Sequence, residues 1–205
     1  MKQKNISGTF LLFALFSFSF SSFCGKNLDS YKEDVLSTYS NQPEEKRKYI
    51  ARLLAEVKAE YTLNHSAANP EDAVRTFLND ILTSKTEFPA SICTAHEIEN
   101  ILMPNILLER YGMVYMKPQE RENFFHLRQS MGIARIRSRF KEPISLQTPD
   151  TSVQIRTKES RKHNAIEMIS VEEVKISTSG KIISLEEIKS ILSTGGRYKV
   201  CIVAP

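Results

Sequence analysis

Apolar residues recur at two different spacings along the chain, and the change of spacing divides it into two regions. From residue 43 to residue 140 they recur every three or four positions, which predicts amphipathic helices. After Pro143 the sequence becomes richer in Thr, Val, Ile and Ser, and apolar residues alternate with polar ones, which predicts strands. We therefore expect an α+β fold, in which N-terminal amphipathic helices pack on one face of a C-terminal, mainly antiparallel sheet.

The first two helices are predicted from their starts and from their apolar stripes. Pro43 precedes the first helix, and Asn69 followed by Pro70 gives the second an N-cap and a favourable first position. The stripes, which are suited to packing against a core, are Ile50, Leu53, Leu54, Val57 and Tyr61 in the first helix and Val74, Phe77, Leu78, Ile81 and Leu82 in the second.

Two further helices are predicted before the strand region. Thr94 and Glu97 match a capping box, which begins a short helix that Pro104 interrupts. Pro118 begins the next helix. Residues 133–140 fit either a continuation of this helix or a strand with arginines on its outer side.

Alternation predicts strands around residues 153–155 and 166–168, and a hairpin over residues 172–184 with a Ser/Thr/Gly turn. A capping pattern and the spacing of three isoleucine and leucine residues predict a short helix over residues 185–192. The pair Gly195-Gly196 then ends this helix, and a closing strand is predicted for residues 198–202.

The first 23 residues combine a basic start, an apolar run and a serine-rich exit, and they contain no acidic residue. Lys2 and Lys4 provide the positive charge, and the apolar run begins at Phe10 and passes into alternating Ser and Phe up to Phe20. This pattern is typical of a secretory signal peptide. The apolar run is too short and too rich in serine for a membrane-spanning helix.

The segment Ser21-Ser22-Phe23-Cys24 resembles the lipoprotein signals of bacteria, and most closely the looser form found in spirochaetes. The resemblance implies that Cys24 is acylated, becomes the N-terminus and anchors the protein to a membrane, facing the periplasm or the cell surface. Phe23 and Ser21 depart from the family pattern, which has a small residue and a leucine-like residue at these places. The alternative is cleavage after Ser21, which gives a secreted or periplasmic protein with a free Cys24 thiol.

These observations predict a signal peptide at 1–23, a polar tether at 24–42 and one α+β domain at 43–205. The domain is helix-rich over 43–140 and strand-rich over 144–205. If Cys24 is acylated, Cys93 and Cys201 remain as an even pair. In an oxidising compartment they could form a disulfide, and the alternative is two buried thiols.

Charge is the one patterned feature of the mature region, which carries 26 basic and 24 acidic residues. Between Arg128 and His163 there are nine basic and three acidic residues, so this span is strongly positive within a nearly neutral chain. It predicts a patch that binds an anionic envelope component, the alternative being an ordinary solvated face. The candidate residues are Arg135, Arg137, Arg139, Arg156, Lys158, Arg161 and Lys162.

The sequence contains no phosphate-binding loop, nucleophile elbow or paired-cysteine motif, so no cofactor, metal site or catalytic residue is predicted. His96-Glu97 begins a zinc-protease pattern, but Asn100 stands where the second histidine is required. The segment Pro70–Leu78, with the strands that follow, resembles the cone-shaped α+β domains of the nuclear-transport-factor-like superfamily. The helix predicted at 185–192 departs from that fold, and the resemblance transfers no site residues.

We therefore expect an exported, lipid-anchored envelope protein that binds or scaffolds a partner and is not an enzyme. Its partners would be the membrane surface and an anionic envelope component or a protein, and the small net charge gives no reason to expect nucleic acid. One alternative is a small hydrolase or transferase whose site is assembled only in three dimensions, for example from Cys93 and a histidine. Another is a structural subunit of an envelope complex, which an exposed apolar patch would support.

Overall fold

The computed structural model describes residues 28–84, 86–109, 112–140, 146, 151–178 and 181–205. Helical elements come first and strands follow, so the predicted α+β class is confirmed. The helical elements are α1 (Leu28–Thr38), α2 (Glu44–Ala55), α3 (Pro70–Thr83), α4 (Ala95–Glu97), a π-helix (Ile98–Leu102), α5 (Met103–Asn105), a 3-10 helix (Gly112–Tyr115) and α6 (Pro118–Arg139). The strands are β1 (Ser152–His163), β2 (Ile166–Thr178), β3 (Lys181–Leu185), β4 (Ile188–Thr194) and β5 (Arg197–Val203).

The five strands form one antiparallel sheet with the order β1-β2-β4-β5. The long strand β2 pairs with β1 along one edge, while its other edge is shared by β4 in its first half and β3 in its second half. Between Arg156 and Thr157 of β1 the partner changes from Glu173 to Val171, so Glu172 is a bulge residue in β2. The predicted hairpin over 172–184 corresponds to the pairing of β2 with β3.

The hydrophobic core lies on both faces of the sheet, where the sequence had predicted helices on one face. Neighbouring residues of β4 and β5 point to opposite sides, as they must in a strand. Leu192 and Cys201 pack with α1, α2 and the segment 98–107, whereas Ile191 and Val200 pack with α3 and the C-terminal half of α6. This second layer explains why nearly every residue of β4 is buried.

The prediction of a polar tether is wrong from residue 28 onward, because α1 is part of the domain. Its Tyr31 and Val35 and the following Tyr39 form one buried stripe in an otherwise polar segment. The Tyr31 hydroxyl donates to the carbonyl of Pro104 at 2.7 Å, and the Tyr39 hydroxyl donates to that of Leu107 at 2.8 Å. Two phenols therefore satisfy one carbonyl group within α5 and one just beyond its end.

The structure decides three predictions about local secondary structure. Residues 133–140 continue α6 as far as Arg139, so the helical alternative is right. The helix predicted at 185–192 is wrong, because this segment forms the end of β3 and most of β4, whose edges pair with β2 and β5. Pro104 does not stop the preceding helix. The turn before it widens, with Met103 N–H donating to the Ile98 carbonyl, and the helix continues to Asn105.

Helix α6 is the longest helix in the described residues, and it crosses strand β5 at very short range. Gly132 makes this possible, because an added Cβ atom there would lie 2.7 Å from Val203 Cγ1 and 2.8 Å from Ala204 N. Three residues earlier, the Gln129 side chain donates to the Cys201 carbonyl at 3.2 Å. The helix is thereby fixed to the last strand. None of the helices in the described ranges has the length and apolar character that crossing a bilayer requires.

Candidate functional site

Arg121 is the largest fully buried side chain in the described residues, with only 2% of its surface exposed. It lies in the first turns of α6, four residues before the buried Phe125, so the helix directs it inward. Its guanidinium donates to the carbonyls of Met113 (2.9 Å) and Met116 (3.3 Å) and to the Glu99 carboxylate (2.7 Å). The guanidinium thus joins the 3-10 helix, the π-helix and α6.

Tyr49 of α2 completes this group, which we call the Arg121 cluster: Lys46, Tyr49, Arg52, Glu99 and Arg121. The Tyr49 hydroxyl accepts from Arg121 and donates to Glu99 at 2.9 Å, and Arg52 also pairs with Glu99. Burial raises the pKa of Tyr49 to about 12, so the phenol stays neutral and keeps donating. The charged ends of Lys46, Arg52 and Arg121 lie 5.1–5.4 Å from the Tyr49 ring centre, within cation–π range.

A cleft of about 230 Å³ opens beside this cluster. Its lining combines four charged and four apolar side chains. The full lining is Arg52, Ala95, Ile98, Glu99, Pro118, Arg121, Glu122 and Phe125. Cavities that enclose whole small molecules are about 300–1,000 Å³, so this cleft fits one side chain or one end of a larger partner.

The second polar group in the interior lies between α4 and β5. Cys93 and Cys201 form a disulfide, with Cα atoms 4.5 Å apart and a sequence separation of 108 positions. Beside it, the Lys199 ammonium contacts both carboxylate oxygens of Glu97 at 2.8 and 2.9 Å, and both side chains are buried. Glu97 also accepts from the Thr94 backbone N–H, which confirms the predicted capping box. One carboxylate therefore caps a helix and neutralises a buried lysine.

The residues of the predicted anion-binding patch are distributed over two separate elements. Arg137 is committed to structure, because it donates to the carbonyls of Ile81, Ser84 and Thr86 at and beyond the end of α3. Arg139 pairs with the buried Glu187 at 2.7 Å. Arg135 is exposed on the outer side of α6.

The other four residues of that patch lie on the edge strand β1, and two of them face acids. Arg156 pairs with Glu172 and Glu173, and Arg161 with Glu159 and Glu109. Lys158 and Lys162 are exposed. Acidic neighbours therefore offset much of the positive charge of this strand. Charged edge strands also resist unwanted pairing with other chains.

Histidines do not meet Cys93 in this fold. Cys93 is held in the disulfide, His96 is exposed and hydrogen-bonded to Asn100, and the His126 ring packs at a tilt against Phe88. His163 is different, because its side chain is only 10% exposed and its Nδ1 lies 3.6 Å from a Glu109 oxygen. Its Nε2 has no hydrogen-bond partner among the described residues. Burial lowers the pKa of His163, which favours the neutral ring.

The Arg121 cluster and the Lys199–Glu97 pair were missed from the sequence, where charged residues in polar-looking segments read as surface groups. One signal was available for Arg121. It lies on the same helical stripe as Phe125, Ile133 and Ile136, which marks it as buried.

Cys24, the predicted lipidation residue, lies outside the described residues. Within them, no three His, Cys, Asp or Glu side chains are grouped as metal ligands would be. No family model matches the chain, and neither a curated protein nor a solved structure is significantly similar to it.

Proposed function

We propose that this chain is an exported envelope protein, anchored through acyl chains on Cys24, whose domain binds a partner at the membrane surface. The observation that carries the proposal is the position of α1. This helix begins at Leu28, four residues after Cys24, and Tyr31 and Tyr39 fix it to the core. Four residues span at most about 14 Å. An anchor at Cys24 would therefore hold the domain directly against the lipid headgroups, not at the end of a long tether.

The disulfide supports the export half of the proposal. Disulfides persist in oxidising compartments and are rare where cellular thiols keep cysteines reduced. Cys93 and Cys201 are buried and joined in the structure, and the sequence begins with the features of an export signal. Both features are expected of a protein that folds outside the cytosol.

The cleft beside the Arg121 cluster supports the binding half. Arg121 is held by four partners, while Arg52 is about half exposed and bound only to Glu99 among the cleft residues. Arg52 can therefore turn toward an incoming acidic group without unfolding the cluster. The cleft volume suits a single acidic side chain or a chain terminus, so we infer that the partner is a protein or peptide.

Intact-mass spectrometry of the protein, purified from membrane and soluble fractions of its native cells, tests the anchor. We expect an N-terminal Cys24 that carries acyl mass in the membrane fraction, and loss of that fraction in Cys24→Ala. An unmodified N-terminus at Ser22 in the soluble fraction would contradict the proposal.

The binding role is tested by placing a photoactivatable cross-linking residue at Glu122, on the cleft, and at Glu45, an exposed position in the first turn of α2. We expect a specific adduct from position 122 that Arg52→Ala weakens, and no such adduct from position 45. Equal adducts from the two positions would show that the cleft is not the contact surface.

A second role, as a structural subunit of an envelope assembly, is favoured by one observation. Helix α6 exposes Phe124, Leu127 and Met131 on its outer side.

A further inference from the structure

The outer side of α6 carries a seam of the kind that pairs helices. Phe124, Leu127 and Met131 are 38%, 60% and 47% exposed, although they are among the largest apolar residues of the helix. Together with their neighbours along the same line, they occur at alternating intervals of four and three positions in the sequence. The complete seam is Glu120, Phe124, Leu127, Met131, Ala134 and Ser138, and all six residues are exposed. This is the spacing of the a and d positions of a coiled coil.

Packing among the described residues leaves this seam exposed. The core-facing stripe of α6 runs along the opposite side of the helix, through Arg121, Phe125, Gln129 and Ile136. A helix with one packed face needs polar residues on the other, and most of the exposed side of α6 is polar. An exposed apolar line at coiled-coil spacing therefore favours pairing with another helix.

The seam is complementary to itself in the antiparallel direction. When two copies of α6 are aligned antiparallel about residue 129, Phe124 lies opposite Ala134 of the second copy, and Leu127 lies opposite Met131. A large residue thus meets a small one at each end, and two flexible residues of similar size meet near the centre. Because the same surface serves both copies, the arrangement closes with twofold symmetry.

The charges beside the seam favour the same arrangement. Glu120 ends the seam on one side, and antiparallel alignment brings it beside Arg135 of the second copy, so the contact forms twice. The two Arg128 side chains approach each other near the axis, and each is drawn over its own Phe124 ring, with 5.3 Å between the guanidinium carbon and the ring centre. The two attractive Glu120–Arg135 contacts thus oppose one repulsive contact between the exposed Arg128 side chains.

We propose that the protein forms a homodimer through antiparallel pairing of the α6 seams. The three large side chains expose roughly 300 Å² per copy in total, below the roughly 800 Å² per partner of a stable complex. The dimer is therefore weak in solution, with a dissociation constant of about 10 µM to 1 mM. Confinement to a membrane would strengthen it. The pairing itself does not depend on the proposed anchor.

Sedimentation velocity on the chain from residue 24, carrying Cys24→Ser, tests the pairing between about 10 µM and 1 mM. We expect the average mass to rise toward that of the dimer, and Leu127→Asp to weaken association at least about tenfold. Leu36→Asp is the matched control, because Leu36 is 53% exposed on α1, away from the seam. A wild-type chain that remains monomeric at 1 mM, or equal losses in both variants, would overturn the proposal.

Disulfide trapping tests the direction of the pairing. Chains carrying Leu127→Cys and Met131→Cys are mixed under mild oxidation, and we expect the mixed 127–131 dimer to form faster than either self-dimer. Parallel pairing predicts the reverse, because equal positions would then face each other, and this result would overturn the antiparallel arrangement.

Flotation with vesicles of phosphatidylcholine and phosphatidylglycerol tests whether the face binds lipid instead. If the monomer binds these vesicles through Leu127 and does not self-associate, the seam is a membrane-binding face and the proposal is wrong. If Leu127→Asp leaves vesicle association unchanged while abolishing the dimer, the proposal is supported.

Discussion

Replacement of Gly132 by alanine tests how closely α6 packs on the last strand. The added methyl group would lie 2.7 Å from Val203 Cγ1, 2.8 Å from Ala204 N and 3.1 Å from Ala204 Cα. The valine methyl can rotate away. The Ala204 backbone cannot move freely, because its N–H donates to the Glu187 carbonyl at 2.8 Å and Ala204 is buried. The helix must therefore move away from the sheet, or this hydrogen bond must lengthen.

Two opposing effects decide the sign of the change. Alanine in place of glycine inside a helix gains about 1 kcal/mol of intrinsic helix stability. Overpacking a closely fitted interior costs about 1–3 kcal/mol and occasionally more. Because two of the three contacts involve backbone atoms, we place the cost at or above the upper end of that range. The expected net loss is about 2 kcal/mol, which lowers the melting temperature by roughly 4–8 °C for a domain of this size.

Urea denaturation with the disulfide intact measures this loss. The matched control is Ala134→Gly on the exposed side of the same helix, which should cost about 1 kcal/mol from helix propensity alone. Dilute protein avoids any contribution from self-association. If Gly132→Ala stabilises the protein by the amount that the control loses, the close approach of α6 to β5 does not exist, and the reasoning is refuted.

Three further predictions concern buried polar groups and the disulfide. Lys199→Met leaves the Glu97 carboxylate buried without its cation and should cost about 3–5 kcal/mol of unfolding free energy, measured by urea denaturation. Adding Glu97→Gln should recover most of that loss. Equal losses in the single and double variants would argue against a buried ion pair. Replacing both Cys93 and Cys201 by alanine removes a cross-link between positions 108 residues apart, which the loop-entropy relation values at roughly 4–5 kcal/mol, and an unchanged urea midpoint would contradict this. Burial lowers the pKa of His163, so the unfolded chain binds the proton more readily than the folded one. Stability is therefore lost as pH falls below about 6.5, by at most about 1.4 kcal/mol per pH unit. The difference in unfolding free energy between pH 7.5 and pH 5.5 should be smaller in His163→Gln, and an identical pH dependence would show that this ring is not buried.

The burial of Arg121 could have been predicted from the sequence, but the residues that it contacts could not. Arg121 lies on the stripe of Phe125 and Ile136, so its burial could have been predicted from helical spacing. Its partners could not, because Tyr49 and Glu99 lie on other elements, 72 and 22 residues earlier in the chain. Only the packing of α2, the π-helix and α6 brings them together.

The same distinction applies to the predicted basic patch. The sequence gives the excess of positive charge between residues 128 and 163, but not the destinations of the individual side chains. Arg137 binds carbonyls near the end of α3, and Arg139 meets the buried Glu187. Two segments distant in sequence decide these contacts, namely the end of α3 for Arg137 and the connection between β3 and β4 for Arg139.

Local sequence patterns were enough to predict the class of fold, the positions of α2, α3, α6 and the β2–β3 hairpin, and the Thr94–Glu97 capping box. These features depend on local spacing and on contacts between residues three or four apart, which any chain segment displays in its own sequence. Only the tertiary structure decided that α1 is a packed helix and that residues 188–194 form a strand. It also decided that the core covers both faces of the sheet, and that Lys199 meets Glu97. In each of these cases the deciding contact comes from a partner far away in the chain. A segment such as 185–192, whose spacing fits a helix, becomes a strand when its neighbours on both sides offer backbone hydrogen bonds.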